Sequence, residues 1–279
     1  MNYRHAYHAG NFADVFKHAL LARILVYLMR KDAPLRFIDT HAGIGLYDLA
    51  ANESARTGEW RGGIARMANM PDGAARDLLQ PWFDVVGTLG NQGRPSLYPG
   101  SPALAQALLR KQDRMTFSEM HPGDAQMLAQ NMGRDKRAQV VTGDGYKVLN
   151  GMMPPSERRG LVLIDPPFEQ NGEFAHMEIA LLRAQRKWRE GMFALWYPLK
   201  DRSAEMFFAR LTASGMRRLL RLQISIGDGQ SAGLHACGMI IVNPPFVLEA
   251  EARIILPALV QAMADGPHGS HAIDWLAAE

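Results

Sequence analysis

The sequence predicts an α/β fold, a mostly parallel sheet with helices on both faces, and three observations predict it. From residue 101 onward strand and helix patterns alternate, and strands joined through helices pair in parallel and bury both faces. An early strand at residues 35–39 ends in an acid and a glycine turn, Asp39-Thr40-His41-Ala42-Gly43-Ile44-Gly45. Leu161-Val162-Leu163-Ile164 is a continuous apolar run, the pattern of a strand covered on both sides.

The elements follow in order. Phe12, Val15, Phe16, Ala19, Leu20 and Leu25 recur at helical spacing, so residues 12–30 predict an amphipathic helix capped by Asn11. Strands are expected at 35–39, 115–119, 139–142, 161–165 and 192–197. Helices are expected at 101–110, 123–132, 173–189 and 202–214, the last closed by Gly215. Residues 219–226 and 236–243 form two strands joined by a loop, an antiparallel hairpin at one edge of the sheet. A helix at 249–263 and a short strand at 272–276 complete the chain. Residues 47–100 interrupt the alternation with helical fragments at 62–68, 73–79 and 82–89. They suggest an inserted, mostly helical subdomain, with a long connection packed on the core as the alternative. The core then comprises residues 1–46 and 101–279.

Composition narrows the class. A chain of 279 residues, 47% hydrophobic, can bury a core without disulfides or metals. The single cysteine, Cys237, lies in an apolar run and is expected as a small buried hydrophobe. The N-terminus lacks the apolar stretch of a signal peptide, and no run approaches the ~20 apolar residues of a membrane span. The protein is expected to be cytoplasmic, without a membrane partner. The net charge of +3 is compatible with a polyanion. Basic residues cluster at 134–137, 158–159, 183–189 and 217–221. No metal is expected, since the nine histidines show no ligand spacing and one cysteine excludes a zinc ribbon.

The glycine turn lets backbone approach a ligand where a Cβ would clash. Position 48 is aspartate, so the third glycine of a dinucleotide fingerprint is missing. The turn therefore favours a cofactor without a pyrophosphate, as S-adenosylmethionine is. Glu119 ends the next strand, where an acid accepts hydrogen bonds from ribose hydroxyls. It lies far beyond the usual spacing of about 20 residues unless 47–100 is an insertion. Asp144, in Gly143-Asp144-Gly145, ends a third strand and could accept a bond from an adenine amine. Asp165-Pro166-Pro167-Phe168 then follows a buried strand and resembles the Asp-Pro-Pro-aromatic motif of amino-methyltransferases. An exocyclic amine has its lone pair delocalised into the ring. A carboxylate at Asp165 and a fixed carbonyl at Pro166 can accept its two hydrogens and free that lone pair for attack. Phe168 can stack on the base. A second match, Asn243-Pro244-Pro245-Phe246, follows the second hairpin strand, so its end points away from the site and it is expected to be structural.

These pieces, taken with Tyr3-Arg4-His5, His8-Ala9-Gly10-Asn11, Asp14, Lys17-His18, Tyr98-Pro99-Gly100-Ser101-Pro102, Glu119-x-His121-Pro122, Arg158-Arg159-Gly160 and Ala194-Leu195-Trp196-Tyr197-Pro198, resemble the 23S ribosomal RNA (adenine-N6)-methyltransferase J family over nearly the whole chain. The resemblance implies a Rossmann-like methyltransferase core with a small helical insertion. It implies S-adenosylmethionine against His18, His41, Gly43, Ser101, Glu119, Asp144, Gly145 and Asp165, with Asp165 catalytic. It puts Tyr3 near the RNA, and Lys17, beside His18, is expected to face the site with it. Phe168 departs from the tyrosine of close relatives and loses only a hydroxyl. The implied reaction is N6-methylation of adenine 2030 in 23S rRNA, on a flipped-out base of free or early-assembly RNA, by a monomer. The alternatives are an N2-guanine rRNA methyltransferase and a non-catalytic RNA-binding assembly factor.

Overall fold

A computed structural model describes residues 4–89, 97–169, 171–227 and 233–278. After a single 3-10 turn at His5–Tyr7 comes α1 (Phe12–Met29), whose N-terminus is capped by the Asn11 side chain accepting from Asp14 N at 3.0 Å. The strand β1 (Arg36–Asp39) leads into a two-stranded ribbon, β2 (Leu46–Asp48) against β3 (Leu97–Pro99). Between these lie α2 (Asn52–Thr57), α3 (Ile64–Met67) and α4 (Ala74–Leu89). Next come α5 (Ser101–Leu108), β4 (Arg114–Glu119), α6 (Pro122–Met132), β5 (Ala138–Thr142), α7 (Gly145–Met152) and β6 (Gly160–Ile164). The chain closes with α8 (Glu173–Lys187), β7 (Met192–Pro198), α9 (Ser203–Ala213), β8 (Leu219–Ser225), β9 (Ala236–Val242), α10 (Leu248–Met263) and β10 (Ser270–Ala277).

The large sheet has the order β10-β8-β9-β7-β6-β1-β4-β5. The β1, β4, β5, β6 and β7 strands run parallel, and β9 is antiparallel to both of its neighbours. From β1 the chain winds outward through β4 and β5, then returns to β6 on the other side. The switch point lies between β1 and β6, and ligands bind such sheets at the carboxyl ends of those strands.

Strand pleating sorts the core. Phe37, Leu161 and Leu163 face one layer, with α1, α5 and α10. Ile38, Val162 and Ile164 face the other, with α8 and α9. Successive side chains of a strand point to opposite faces, which is why β6 is apolar at every position.

Three expectations need correction, and one helix is additional to them. The helix at 12–30 is not amphipathic: α1 is buried around its circumference, Asp14, Lys17, His18 and Arg23 included. Covered by α4, α5 and α10 on its outer side, it has no polar face to give to water. The late hairpin is not at the edge, because β10 pairs antiparallel with β8 and closes the sheet beyond it. The fragments 73–79 and 82–89 are one helix that continues through Pro81. The sequence breaks at that proline, but burial of Leu79, Trp82, Val85 and Val86 in the core offsets the lost hydrogen bond. Finally, residues 145–152 form α7, a helix concealed by two glycines and by turn-forming residues.

Within α1, Arg23 meets Glu251 of α10 in a two-pronged ion pair, Nε to Oε2 at 2.9 Å and Nη2 to Oε1 at 2.8 Å, both residues buried. Removing one partner leaves a buried charge unmet, which costs about 3–5 kcal/mol. Arg23→Met is expected to lose that much in urea denaturation, and Arg23→Met with Glu251→Leu to recover most of it. A single variant as stable as the parent would show that the pair is not what joins the two helices.

Candidate active site

The carboxyl ends of β1, β4, β5 and β6 open into a cleft of about 1180 Å³. Its floor is the turn after β1. Gly43 sits at φ 60°, and a Cβ there would meet the Tyr47 hydroxyl. Gly43 N donates to Glu119 Oε2 at 2.9 Å, and His121 N to Glu119 Oε1 at 2.8 Å, so the acid at the end of β4 is fixed from both sides. Gly145 lies so close to the Thr40 carbonyl that a Cβ could not be accommodated, which draws the β1 and β5 loops together. Asp144 Oδ1 caps α7, accepting from Tyr146 N at 2.9 Å.

Asp39 does not face the ligand space. It is fully buried, accepting from Ser101 Oγ at 2.6 Å and from His41 N at 3.2 Å. Burial raises its carboxyl to about 7, against the Ser101 hydrogen bond that favours the carboxylate. His41, at the cleft wall, takes its Nδ1 contact from Thr40 Oγ1 at 2.8 Å and packs edge-on against Tyr146. Burial pulls its imidazole down to about 4, although Asp165 and Asp144 act the other way. The Tyr146 hydroxyl donates to Glu173 Oε1 at 2.7 Å.

Asp165, Pro166, Pro167 and Phe168 all line the cleft, at the end of β6. Phe168 has φ 53°, a left-handed backbone that costs a bulky residue of order 1–3 kcal/mol. Its ring is set edge-on by Phe174 at 4.8 Å and Trp196 at 5.9 Å between centroids. The other Pro-Pro loop differs in both place and backbone. There the left-handed residue is Asn243, whose Nδ2 donates to the carbonyls of Arg189 at 2.7 Å and Gly191 at 2.9 Å, just before β7 begins. It therefore sits at the opposite end of the sheet, as its antiparallel strand requires.

Behind Asp165 runs a line of buried charges that sequence reasoning did not assemble. Lys17 Nζ contacts Asp165 Oδ2 and, at 2.9 Å, Asp14 Oδ1. Asp14 also meets His5 Nε2 at 2.9 Å and accepts from Gly10 N at 2.9 Å. Burial opposes the Lys17 charge, but Asp14 and Asp165 overcome it and hold the ammonium well above its usual range. Burial opposes ionisation of Asp14 too, and His5 and Lys17 overcome it. Lys17, expected at the RNA, thus has its ammonium between two carboxylates. The partners of Asp14, namely His5, Gly10 and Lys17, all lie in the N-terminal segment and α1; only Asp165, on the far side of Lys17, comes from a distant part of the chain.

Of the other expected site residues, His18 is 1% exposed, with its Nδ1 2.7 Å from the Tyr98 hydroxyl. Ser101 gives its hydroxyl to Asp39. Both still border the cleft, as do His41, Gly43, Glu119, Asp144 and Gly145. Tyr3 lies outside the described residues. Cys237 is buried. Among the described residues no group of histidine, cysteine and acidic side chains is placed to hold a metal ion, and no helix is long and apolar enough to cross a membrane.

A sheet wound in both directions from β1, carrying acids but no third glycine at its switch point, defines an S-adenosylmethionine-dependent methyltransferase. Comparison narrows the class. A family model described as ribosomal RNA large subunit methyltransferase D, RlmJ, matches residues 32–277, and the chain belongs to that family. Ribosomal RNA large subunit methyltransferase J of Escherichia coli K12 is 37% identical over 281 residues, and that of Haemophilus influenzae Rd 36% over 285, each covering the whole of both chains. The crystal structure of protein LPL1258 from Legionella pneumophila superposes with a TM-score of 0.88 at 33% identity, over 96% of this chain and 98% of that one.

Burial lowers His18 to about 3, against the pull of Asp14. An unfolded histidine binds its proton near pH 6.5, so between about pH 6.5 and 3 the unfolded chain holds a proton that the folded chain lacks. Stability from this group is then full above pH 6.5 and falls as pH drops, by up to about 1.4 kcal/mol per pH unit. NMR titration is expected to find the His18 ring neutral at pH 5. A ring protonated at pH 6 would contradict the burial argument.

Proposed function

We propose that this enzyme methylates the exocyclic N6 amine of one adenine in 23S rRNA, adenine 2030, with the base flipped out of its stack. The observation that carries the reading is the Asp165-Pro166-Pro167-Phe168 loop, at the carboxyl end of β6 and facing the cleft. Free or early-assembly 23S rRNA would be the substrate.

The residues present suit S-adenosylmethionine. Glu119 is buried at the cleft wall with both oxygens anchored by backbone amides, leaving lone pairs for two ribose hydroxyls. Gly43 and Gly145 line the wall together with His18, His41, Ser101, Asp144 and Asp165. When bound, the cofactor supplies an electrophilic methyl group. The chain's own groups then act on the amine. Asp165 accepts one N6 hydrogen and the Pro166 carbonyl the other, which opposes delocalisation of the lone pair into the ring. Lys17, held charged by its two carboxylates, fixes the orientation of Asp165. Phe168, set by Phe174 and Trp196, offers its face to the adenine. Flipping is needed because N6 lies inside the stack and the cleft is walled by protein.

The test is methyl transfer from labelled S-adenosylmethionine to unmodified 23S rRNA, followed by nucleoside mass spectrometry. N6-methyladenosine is expected, and N2-methylguanosine would replace adenine with guanine in this reading. Asp165→Ala is expected to lower turnover by roughly two to three orders of magnitude, the scale of one preorganised polar contact, while far-ultraviolet circular dichroism stays unchanged. Wild-type turnover in that variant would remove Asp165 from the chemistry. Phe168→Ala is expected to weaken kcat/KM by roughly 1–3 kcal/mol.

A further inference from the structure

Phosphate contacts hold an RNA in register while the base is read in the pocket, so the protein needs a basic surface continuous with the cleft mouth. Each of its basic clusters has one member that is already engaged. Arg137 pairs with Asp135 at 2.6 Å, Arg221 with Asp274 at 2.6 Å, and Arg159 donates to the carbonyl of Ala33 at 2.9 Å. Lys187 donates to Asn150 at 2.8 Å.

One group differs. His176, Ile179 and Arg183 of α8 line the cleft, and Arg186 continues the same helix face into a groove of about 660 Å³ at the far end of α8. At 100° per residue these four positions fall within about 80° of arc, and they span about 15 Å along the axis. Arg189 and Arg217 line the same groove. Arg183, Arg186, Arg189 and Arg217 are all exposed, and no ion pair engages any of them among the described residues. The acid in the groove, Glu178, is taken by Arg210 at 2.5 Å.

We propose that this arginine track along α8 and the turn before β8 binds the phosphate backbone of the RNA that flanks the target base. The inference rests on the reading of the cleft as an rRNA methyltransferase site. Uncommitted guanidinium groups at a few nucleotides' separation neutralise successive phosphates and release their counterions. The track starts at the cleft wall, so a strand lying on it leads its next base to the Asp165 loop. The Arg134 and Lys136 pair is exposed as well, but it lies beside β5, at the other edge of the sheet.

The experiment measures binding of the full-length protein to unmodified 23S rRNA transcript across a salt series, separately from methyl transfer. Arg186→Gln, Arg189→Gln and Arg217→Gln together are expected to raise the RNA Kd by about tenfold or more. They are also expected to lower the slope of log K against log salt by about two to three. S-adenosylmethionine affinity, measured by calorimetry, is expected to stay at the parent value. Arg134→Gln with Lys136→Gln is expected to leave both RNA quantities at the parent values. Parent-like Kd and slope in the triple variant would overturn the proposal, as would an equal loss in the 134/136 variant. Absence of methyl transfer by the parent on a transcript that it binds would instead overturn the functional reading and leave the track standing.

Discussion

A lysine ammonium can stay charged inside a protein only where carboxylates meet it, and Lys17 is met by two. Asp14 lies one helical turn away on α1, and Asp165 belongs to the loop after β6. Because α1 is enclosed on every side, the Lys17 and Asp14 end of this contact cannot relax into water, while Asp165 opens to the cleft. Packing α1 against the sheet therefore also sets the position of the Asp165 carboxylate. The dependence extends outward, since Asp14 is itself held by His5 and by the Gly10 amide. The segment before α1, the helix and the loop at the switch point behave as one electrostatic unit.

The two Pro-Pro-Phe loops show how topology assigns chemistry. Both follow buried strands and both contain a left-handed residue. One ends a parallel strand beside the switch point and opens into the cleft. The other ends an antiparallel strand and is tied down by the Asn243 amide at the start of β7. There the side chain that corresponds to Asp165 is spent on backbone carbonyls, and Phe246 projects outward at 89% exposure. An acid and an aromatic are useful only where the sheet delivers them to a shared space.

Burial orders the protonation states of three groups beside the cleft. Burial keeps His18 and His41 neutral at ordinary pH and draws Asp39 toward its protonated form. Glu119, Asp144 and Asp165 face the ligand space, with Lys17 behind Asp165. Asp39, the most obvious acid in the sequence of the glycine turn, instead braces that turn by accepting from Ser101 and His41.

The alternation of strands and helices, the glycine turn, the acids at successive strand ends and the Asp-Pro-Pro-aromatic loop were all legible in the sequence. Each depends on local backbone preference or on the period of apolar residues. What stayed hidden depends on contacts between distant segments. The helix through Pro81 exists because its apolar residues find α1 and α10. The burial of α1 on its polar side requires Glu251 and Asp165 to be brought to it from more than a hundred residues away. The closing strand β10 covers a hairpin that looks terminal in one dimension. Sequence by itself determined which residue types stand at the strand ends, since these follow from local pattern. Tertiary structure alone decided which charges pair and which remain free, because Coulomb interactions follow distance through space and not along the chain.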